Sequence, residues 1–284
     1  MSRIYALANQ KGGVGKTTTT VNLAAYLAEL GQRVLVVDVD PQANATASLG
    51  VDKNQQQDGS VYDAFVGDVP LHEVIQPTQQ ANLELAASSP QLAGAEIELV
   101  AMRGRETKLR AALRPVRDRY DYIFVDCPPS LGLLTVNALA AAHGVIIPVQ
   151  CEYLALEGLT QLMTTIQLVR RSLNPTLQVR GLLMTMFDGR ANLARQVRDE
   201  VQKHFAGQVF AVIVPRNVRL SEAPSYGLPI LAYAPQSPGA QAYQAFAQEL
   251  LSGDSQMSNP KDQISNFKPP KEGDSQISSD AAQH

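Results

Sequence analysis

The run KGGVGKTT, Lys11 to Thr18, constrains this chain more than any other segment. It follows an apolar stretch, Ile4 to Ala8. It precedes Val21, Leu23, Ala24, Leu27, Ala28 and Leu30, which recur at helical spacing until Gly31. Strand, glycine-rich turn and helix therefore come in immediate succession. A turn built on Gly12, Gly13 and Gly15 can reach left-handed backbone space and close its N–H groups around an anion. Val14 lies within the same turn, and the start of the following helix adds free donors and partial positive charge. In such a turn Lys16 pairs with β and γ phosphates and the Thr17 hydroxyl takes a Mg²⁺ position. Lys11 and Lys16 repel each other in a tight loop unless a polyanion is present, which points to a ligand of triphosphate charge. The usual phosphate-loop pattern begins with glycine, and that place is held by Gln10, while the Gly-Lys-Thr end is intact.

Arg33 to Val37 and Tyr122 to Val125 are continuous apolar runs that end in Asp38 and Asp126. Leu83 to Ala86, Gly144 to Val149, Val179 to Met186 and Val209 to Val214 read as further strands, with Leu156 to Arg171 and Ala240 to Leu251 as helices. Runs without polar alternation suit strands covered on both faces. The expectation is an α/β fold, a doubly wound, mostly parallel twisted sheet with helices on both faces, as in P-loop NTPases. One P-loop domain over residues 1–252 is expected, followed by a disordered polar tail over 253–284, where Ser, Asp, Gln, Lys and Pro dominate. That tail carries a near-repeat, Gly253-Asp-Ser-Gln-Met-Ser and Gly273-Asp-Ser-Gln-Ile-Ser.

Asp126 reads as the carboxylate that holds Mg²⁺ through water. Asp38 and Asp40, in VVDVDPQ, end the second strand, and one of them is expected to orient an attacking water. Cys127 and Cys151 are the only cysteines, too few for a disulfide framework, a CxxC pair or a four-thiolate site within one chain. No window approaches a membrane-spanning apolar length and the amino terminus lacks an export signal, so a cytoplasmic protein with no membrane partner is expected. With 24 Lys plus Arg against 27 Asp plus Glu, a formal charge of -3, any nucleic-acid contact must come from a local patch.

KGGVGKTT, VVDVDPQ, FVDCPPSLG and PRNVRLSEAPSYG, in this order, closely resemble the ParA (Soj-like) chromosome- and plasmid-partitioning ATPases, of the deviant Walker A group, over about residues 3–250. The resemblance implies ATP and Mg²⁺ as ligands and an ATP-dependent homodimer with nucleotide sandwiched between subunits. It makes Lys11 the signature lysine that reaches the partner subunit's nucleotide, with Gly12 at that interface and Glu152 near the lysine. Gly13, Val14, Gly15, Lys16, Thr17 and Thr18 then hold phosphates and Mg²⁺. Asp40 becomes the activator of hydrolytic water, Asp126 the Walker B residue, and Pro215 and Asn217 lie near the adenine. The resemblance also implies non-specific binding of double-stranded DNA, hence association with the nucleoid, and hydrolysis stimulated by a ParB-type centromere-binding partner.

Local charge suits that expectation. Between Arg170 and Arg219 lie nine basic residues and three acidic ones. Arg190 and Arg219 match the family's DNA-contacting arginines. Arg103 to Arg119 holds seven basic and two acidic residues and reads as a solvated helix. A MinD-like positioning ATPase, acting on a protein or membrane target, is the alternative. It calls for an amphipathic C-terminal helix, whereas this tail carries Pro269 and Pro270 and no apolar stripe.

Overall fold

In the computed structural model, which describes residues 2–52, 59–67, 69–152 and 155–257, the central strands divide their side chains between two cores. Ile4, Leu35, Val37, Ile123 and Val125 enter one. Tyr5, Leu7, Val34, Val36, Tyr122 and Phe124 enter the other. Side chains alternate across a strand, so continuous apolar runs fill both faces at once.

The strands are β1 (Arg3–Leu7), β2 (Val34–Asp38), β3 (Ile75–Pro77), β4 (Leu83–Ala86), β5 (Tyr122–Asp126), β6 (Gly144–Gln150), β7 (Gln178–Phe187) and β8 (Val209–Pro215). They form one sheet in the order β3-β4-β2-β5-β1-β6-β7-β8. All pairs are parallel except β3 with β4. This is the expected doubly wound, mostly parallel sheet. β3, a three-residue edge strand ending in Pro77, was not expected, because so short a half-buried segment carries no periodic signal.

The helices are α1 (Lys16–Glu29), α2 (Asn44–Ser48), α3 (Val61–Val66), α4 (Leu92–Val100), α5 (Lys108–Leu113), α6 (Leu133–Ala141), α7 (Ala155–Ser172), α8 (Asn192–His204), α9 (Val218–Glu222), α10 (Ile230–Tyr233) and α11 (Pro238–Met257). None among the described residues is long and apolar enough to cross a membrane. The Arg103–Arg119 stretch is not one helix. It comprises a loop, the six residues of α5 and a 3₁₀ turn at Arg117–Arg119.

The domain boundary expected at residue 252 falls inside α11, which continues to Met257. Gly253 does not end the helix. Its missing side chain makes room for a neighbour, since a Cβ there would lie 2.6 Å from Arg180 Nη2. One residue on, Asp254 is fully buried and accepts from Arg180 Nε (2.8 Å) and the Tyr5 hydroxyl (2.8 Å), with Arg3 Nη1 at 3.0 Å. Arg3 opens β1 and Arg180 lies near the start of β7, so this cluster pins the end of α11 to the edge where the parallel strands begin. The remainder of the expected tail, 258–284, lies outside the described residues.

Removing one member of a buried ion cluster leaves the others uncompensated. Asp254→Ala is therefore expected to lower unfolding free energy by about 3 kcal/mol, as measured by urea denaturation.

Candidate nucleotide site and basic surface

Alternation fixes the chemistry at the opposite edge. Val34 and Val36, like Tyr122 and Phe124, face the core that α1 covers, so Asp38 and Asp126, two residues on, emerge on the same side. Asp38 and Asp126 are also register partners across β2 and β5. The two buried carboxylates thus stand side by side under the first turn of α1. Thr17 Oγ1 donates to Asp126 Oδ2 (2.7 Å) and Thr20 Oγ1 to Asp126 Oδ1 (2.8 Å). Burial pushes the Asp126 carboxyl above its ordinary range, and the two hydroxyl donors pull it back. Burial, and then the neighbouring Asp126, raise Asp38.

The phosphate loop turns as its glycines permit. Gly13 (φ 73°) and Gly15 (φ 88°) are left-handed, and Gly15 is the residue from which α1 starts. Gly12 is not in that region. It is exposed, and a Cβ there would meet only Pro129 Cβ, at an ordinary 3.8 Å. Within one subunit, then, nothing requires glycine at this position. Lys16 is buried, its Nζ donating to Lys11 O (3.1 Å), and burial lowers its pKa while Asp126 and Asp40 oppose that shift. Val14 is buried, and its carbonyl accepts from Thr185 Oγ1 (2.9 Å), which ties the loop to the end of β7. Thr18 is half-buried, and its carbonyl accepts from Asn22 Nδ2 (2.8 Å).

The two acids at the end of β2 and just after it have different surroundings. Asp38 spends both oxygens internally, Oδ1 on the Asp40 N–H (3.1 Å) and Oδ2 on the Thr46 N–H (2.9 Å) and hydroxyl (2.8 Å). It builds the turn that carries Asp40. Asp40 is buried and uses Oδ1 for the Gln42 N–H (2.9 Å), leaving Oδ2 without a partner among the described residues. Lys11 Nζ meets Glu152 Oε2 at 2.8 Å, so the expected neighbours are joined within a single subunit. Pro215 ends β8, third strand from β1, and Asn217 Oδ1 caps α9 by accepting the Arg219 N–H (3.0 Å).

Sequence reading missed Asn9 and Thr20. Asn9 accepts from the Lys11 N–H (3.0 Å) and donates to Pro148 O (2.7 Å), bracing the loop against β6. Thr20 lies one turn after Thr17 in a run of four threonines, and that i, i+3 spacing was the available signal. No group of three or more His, Cys, Asp or Glu among the described residues forms a metal cage. The oxygen pair of Thr17 and Asp126 fits Mg²⁺, which takes few protein ligands and completes its shell with water and phosphate oxygens.

The basic segment is not one patch. Arg190, Arg195, Arg216 and Arg219 stand near the nucleotide edge, after β7 and β8, whereas Arg170, Arg171 and Lys203 end helices that run down to the opposite edge. Arg180 is committed to Asp254. Arg190 is 91% exposed and holds Asp188 through Nε (2.9 Å) and Nη2 (2.8 Å), which keeps the Asp188 carboxyl below its usual range. Arg219 Nη1 bonds Glu222 Oε2 (2.8 Å), which also accepts from the Tyr233 hydroxyl (3.0 Å). Both arginines are thus oriented at the surface, and a phosphate must compete with a carboxylate for each.

An AAA domain family model matches residues 2–179. A chromosome partitioning protein ParA of Myxococcus xanthus is 55% identical over 254 residues, covering 89% of each chain. The sporulation initiation inhibitor protein Soj of Bacillus subtilis is 54% identical over 250 residues, 88% of this chain and 98% of that one. Among solved structures, one described as cobyrinic acid a,c-diamide synthase of Mycobacterium smegmatis, with bound ADP and magnesium, is 39% identical with a TM-score of 0.80, covering 95% of this chain and 100% of that one.

Thr20→Val removes one of the two donors that satisfy buried Asp126. The expected cost is about 1–3 kcal/mol in the nucleotide-free protein, read by thermal or urea unfolding. Unchanged stability would show that Asp126 does not depend on that hydroxyl.

Proposed function

Because the chain belongs to the ParA/Soj family of chromosome-partitioning ATPases, we propose that it hydrolyses ATP with Mg²⁺ to time its release from DNA in a partitioning cycle. The observation that carries this reading is the shared edge of the sheet. The phosphate loop, Asp40 and the exposed guanidinium groups of Arg190 and Arg219 all follow the carboxyl ends of parallel strands. A nucleotide-driven dimer would therefore bring two such arginine sets together, multiplying phosphate contacts without a sequence-reading element.

Lys16 neutralises the β and γ phosphates, and the loop N–H groups around Gly13 and Gly15 receive their oxygens. Thr17 and Asp126, joined here by a hydrogen bond, would hold Mg²⁺, Asp126 through water. When bound, Mg²⁺ would offset the negative charge that develops on the phosphates. Asp40, through the oxygen its own turn leaves unused, orients the attacking water. Lys11 leaves Glu152 for the partner subunit's nucleotide, with Gly12 at the contact and Glu152 beside it. Pro215 and Asn217 border the adenine, Asn217 with its amide nitrogen, since its oxygen caps α9. Intrinsic turnover is slow in this reading, and a ParB-type partner completes the site.

The cellular setting of this reading is the cytoplasm, on non-specific double-stranded DNA of the nucleoid. The oriented surface arginines favour DNA over the amide-forming chemistry named for the M. smegmatis protein. They also favour it over a MinD-like membrane or protein target.

Asp40→Ala is expected to retain ATP-dependent dimerisation and DNA binding while turnover falls by about 100-fold or more, as followed by phosphate release. Wild-type turnover in this variant would remove Asp40 from the water-orienting role. Arg219→Ala should spare dimerisation by light scattering, weaken random-sequence duplex binding in ATP–Mg²⁺, and reduce the salt slope by about 1 per lost phosphate contact. Unchanged DNA affinity and slope would exclude this surface.

A further inference from the structure

The arginines between Arg103 and Arg119 take no part in the nucleotide site. At the edge where the parallel strands begin, a cavity of about 460 Å³ opens between α5, the end of α6 and the segment leading into β7. Ile4 and Leu113 contribute to an apolar floor, while Arg110, Arg114, Arg117 and His143 supply the polar lining. Among the described residues no Asp or Glu lines the cavity.

The positive charge is not cancelled locally. Arg114 is exposed and meets no hydrogen-bond or ion-pair partner among the described residues. Arg110 Nη1 donates to the neutral Leu173 carbonyl (3.0 Å). Among the described residues Arg117 has only the highly exposed Asp118, at 3.7 Å. His143 Nδ1 accepts the Ile4 N–H (3.0 Å), so the neutral ring carries its proton on Nε2 and offers a further donor. The carboxyl end of α6 would repel an anion, but Asn174 Nδ2 caps its carbonyls at Leu139 (3.0 Å) and Ala142 (2.7 Å).

Three guanidinium groups around one hollow repel each other, and an anion relieves that repulsion. Their planar forks suit phosphate oxygens. The volume lies within the range of small-molecule sites, and an apolar floor under a cationic rim matches a compact organic group bearing phosphate. A duplex, whose phosphates line the ridges of a wide cylinder, cannot enter such a hollow. We propose that this cavity is a second anion site, at the opposite edge of the sheet from the phosphate loop, that takes a small phosphorylated organic molecule.

The test uses the full chain saturated with ADP–Mg²⁺, so that the phosphate loop is filled. Phenyl phosphate and inorganic phosphate are titrated separately by calorimetry in that state, and a random-sequence duplex is titrated with ATP–Mg²⁺ in place of ADP, the state in which DNA binding is expected. Saturable phenyl phosphate binding, tighter than inorganic phosphate and weakened about tenfold by Arg114→Ser, is the expected result. Arg114 has no partner to lose among the described residues, so the variant should keep the wild-type unfolding midpoint and ADP affinity; Arg110→Ser provides an independent second variant. No saturable phenyl phosphate binding up to about 10 mM would overturn the proposal. So would phenyl phosphate binding that both variants leave unchanged. Equal affinity for the two phosphates would remove the organic part of the assignment. Loss of duplex affinity in Arg114→Ser, with no phenyl phosphate binding in the wild type, would reassign these arginines to DNA.

Discussion

Two threonine hydroxyls on one carboxylate hold the nucleotide end of this molecule together. Asp126 leaves β5 on the face that α1 covers, and Thr17 and Thr20 meet its two oxygens from the first turn of that helix. This pins α1 against the edge of the sheet and brings Lys16 into the interior, where its ammonium folds back on the Lys11 carbonyl. A carboxylate with no access to water is costly unless donors surround it. Here the donors come from the helix that the glycine-rich loop opens, so the same interaction that satisfies a buried acid also fixes where that loop ends.

The sheet was legible because its strands are continuous apolar runs, and each of the seven strands read from sequence is present within a residue or so. Elements defined by contact rather than by period were not legible. β3 is three residues paired antiparallel at an edge, and α5 is six residues among arginines. Gly253 illustrates the same limit. Glycine near a change in composition normally marks a helix end, but here it sits mid-helix because Arg180, 73 positions earlier in the chain, needs the space. Nothing local to residue 253 encodes that requirement.

At the site, the residues set by motif were legible and those set by bracing were not. The glycine-rich loop announced Lys16 and Thr17. The resemblance singled out Asp40, and hydrogen bonding gives the two acids different surroundings, since Asp38 spends both oxygens on its own turn and Asp40 only one. Charge counting along the chain treated Arg170 to Arg219 as one unit. The fold separates them, since a helix and a strand carry successive arginines to opposite edges of the sheet, and Arg180 is consumed by a buried acid.

The Asp254 cluster has a practical corollary for handling the protein. The last described turn of α11 is bolted to the starts of β1 and β7, on the far side of the sheet from the phosphate loop. A fluorophore, affinity tag or surface tether joined just after Met257 therefore departs from that far side. Immobilised through this point, the molecule presents its phosphate loop and the arginines after β7 and β8 to the solution, an orientation suited to watching single molecules bind and release.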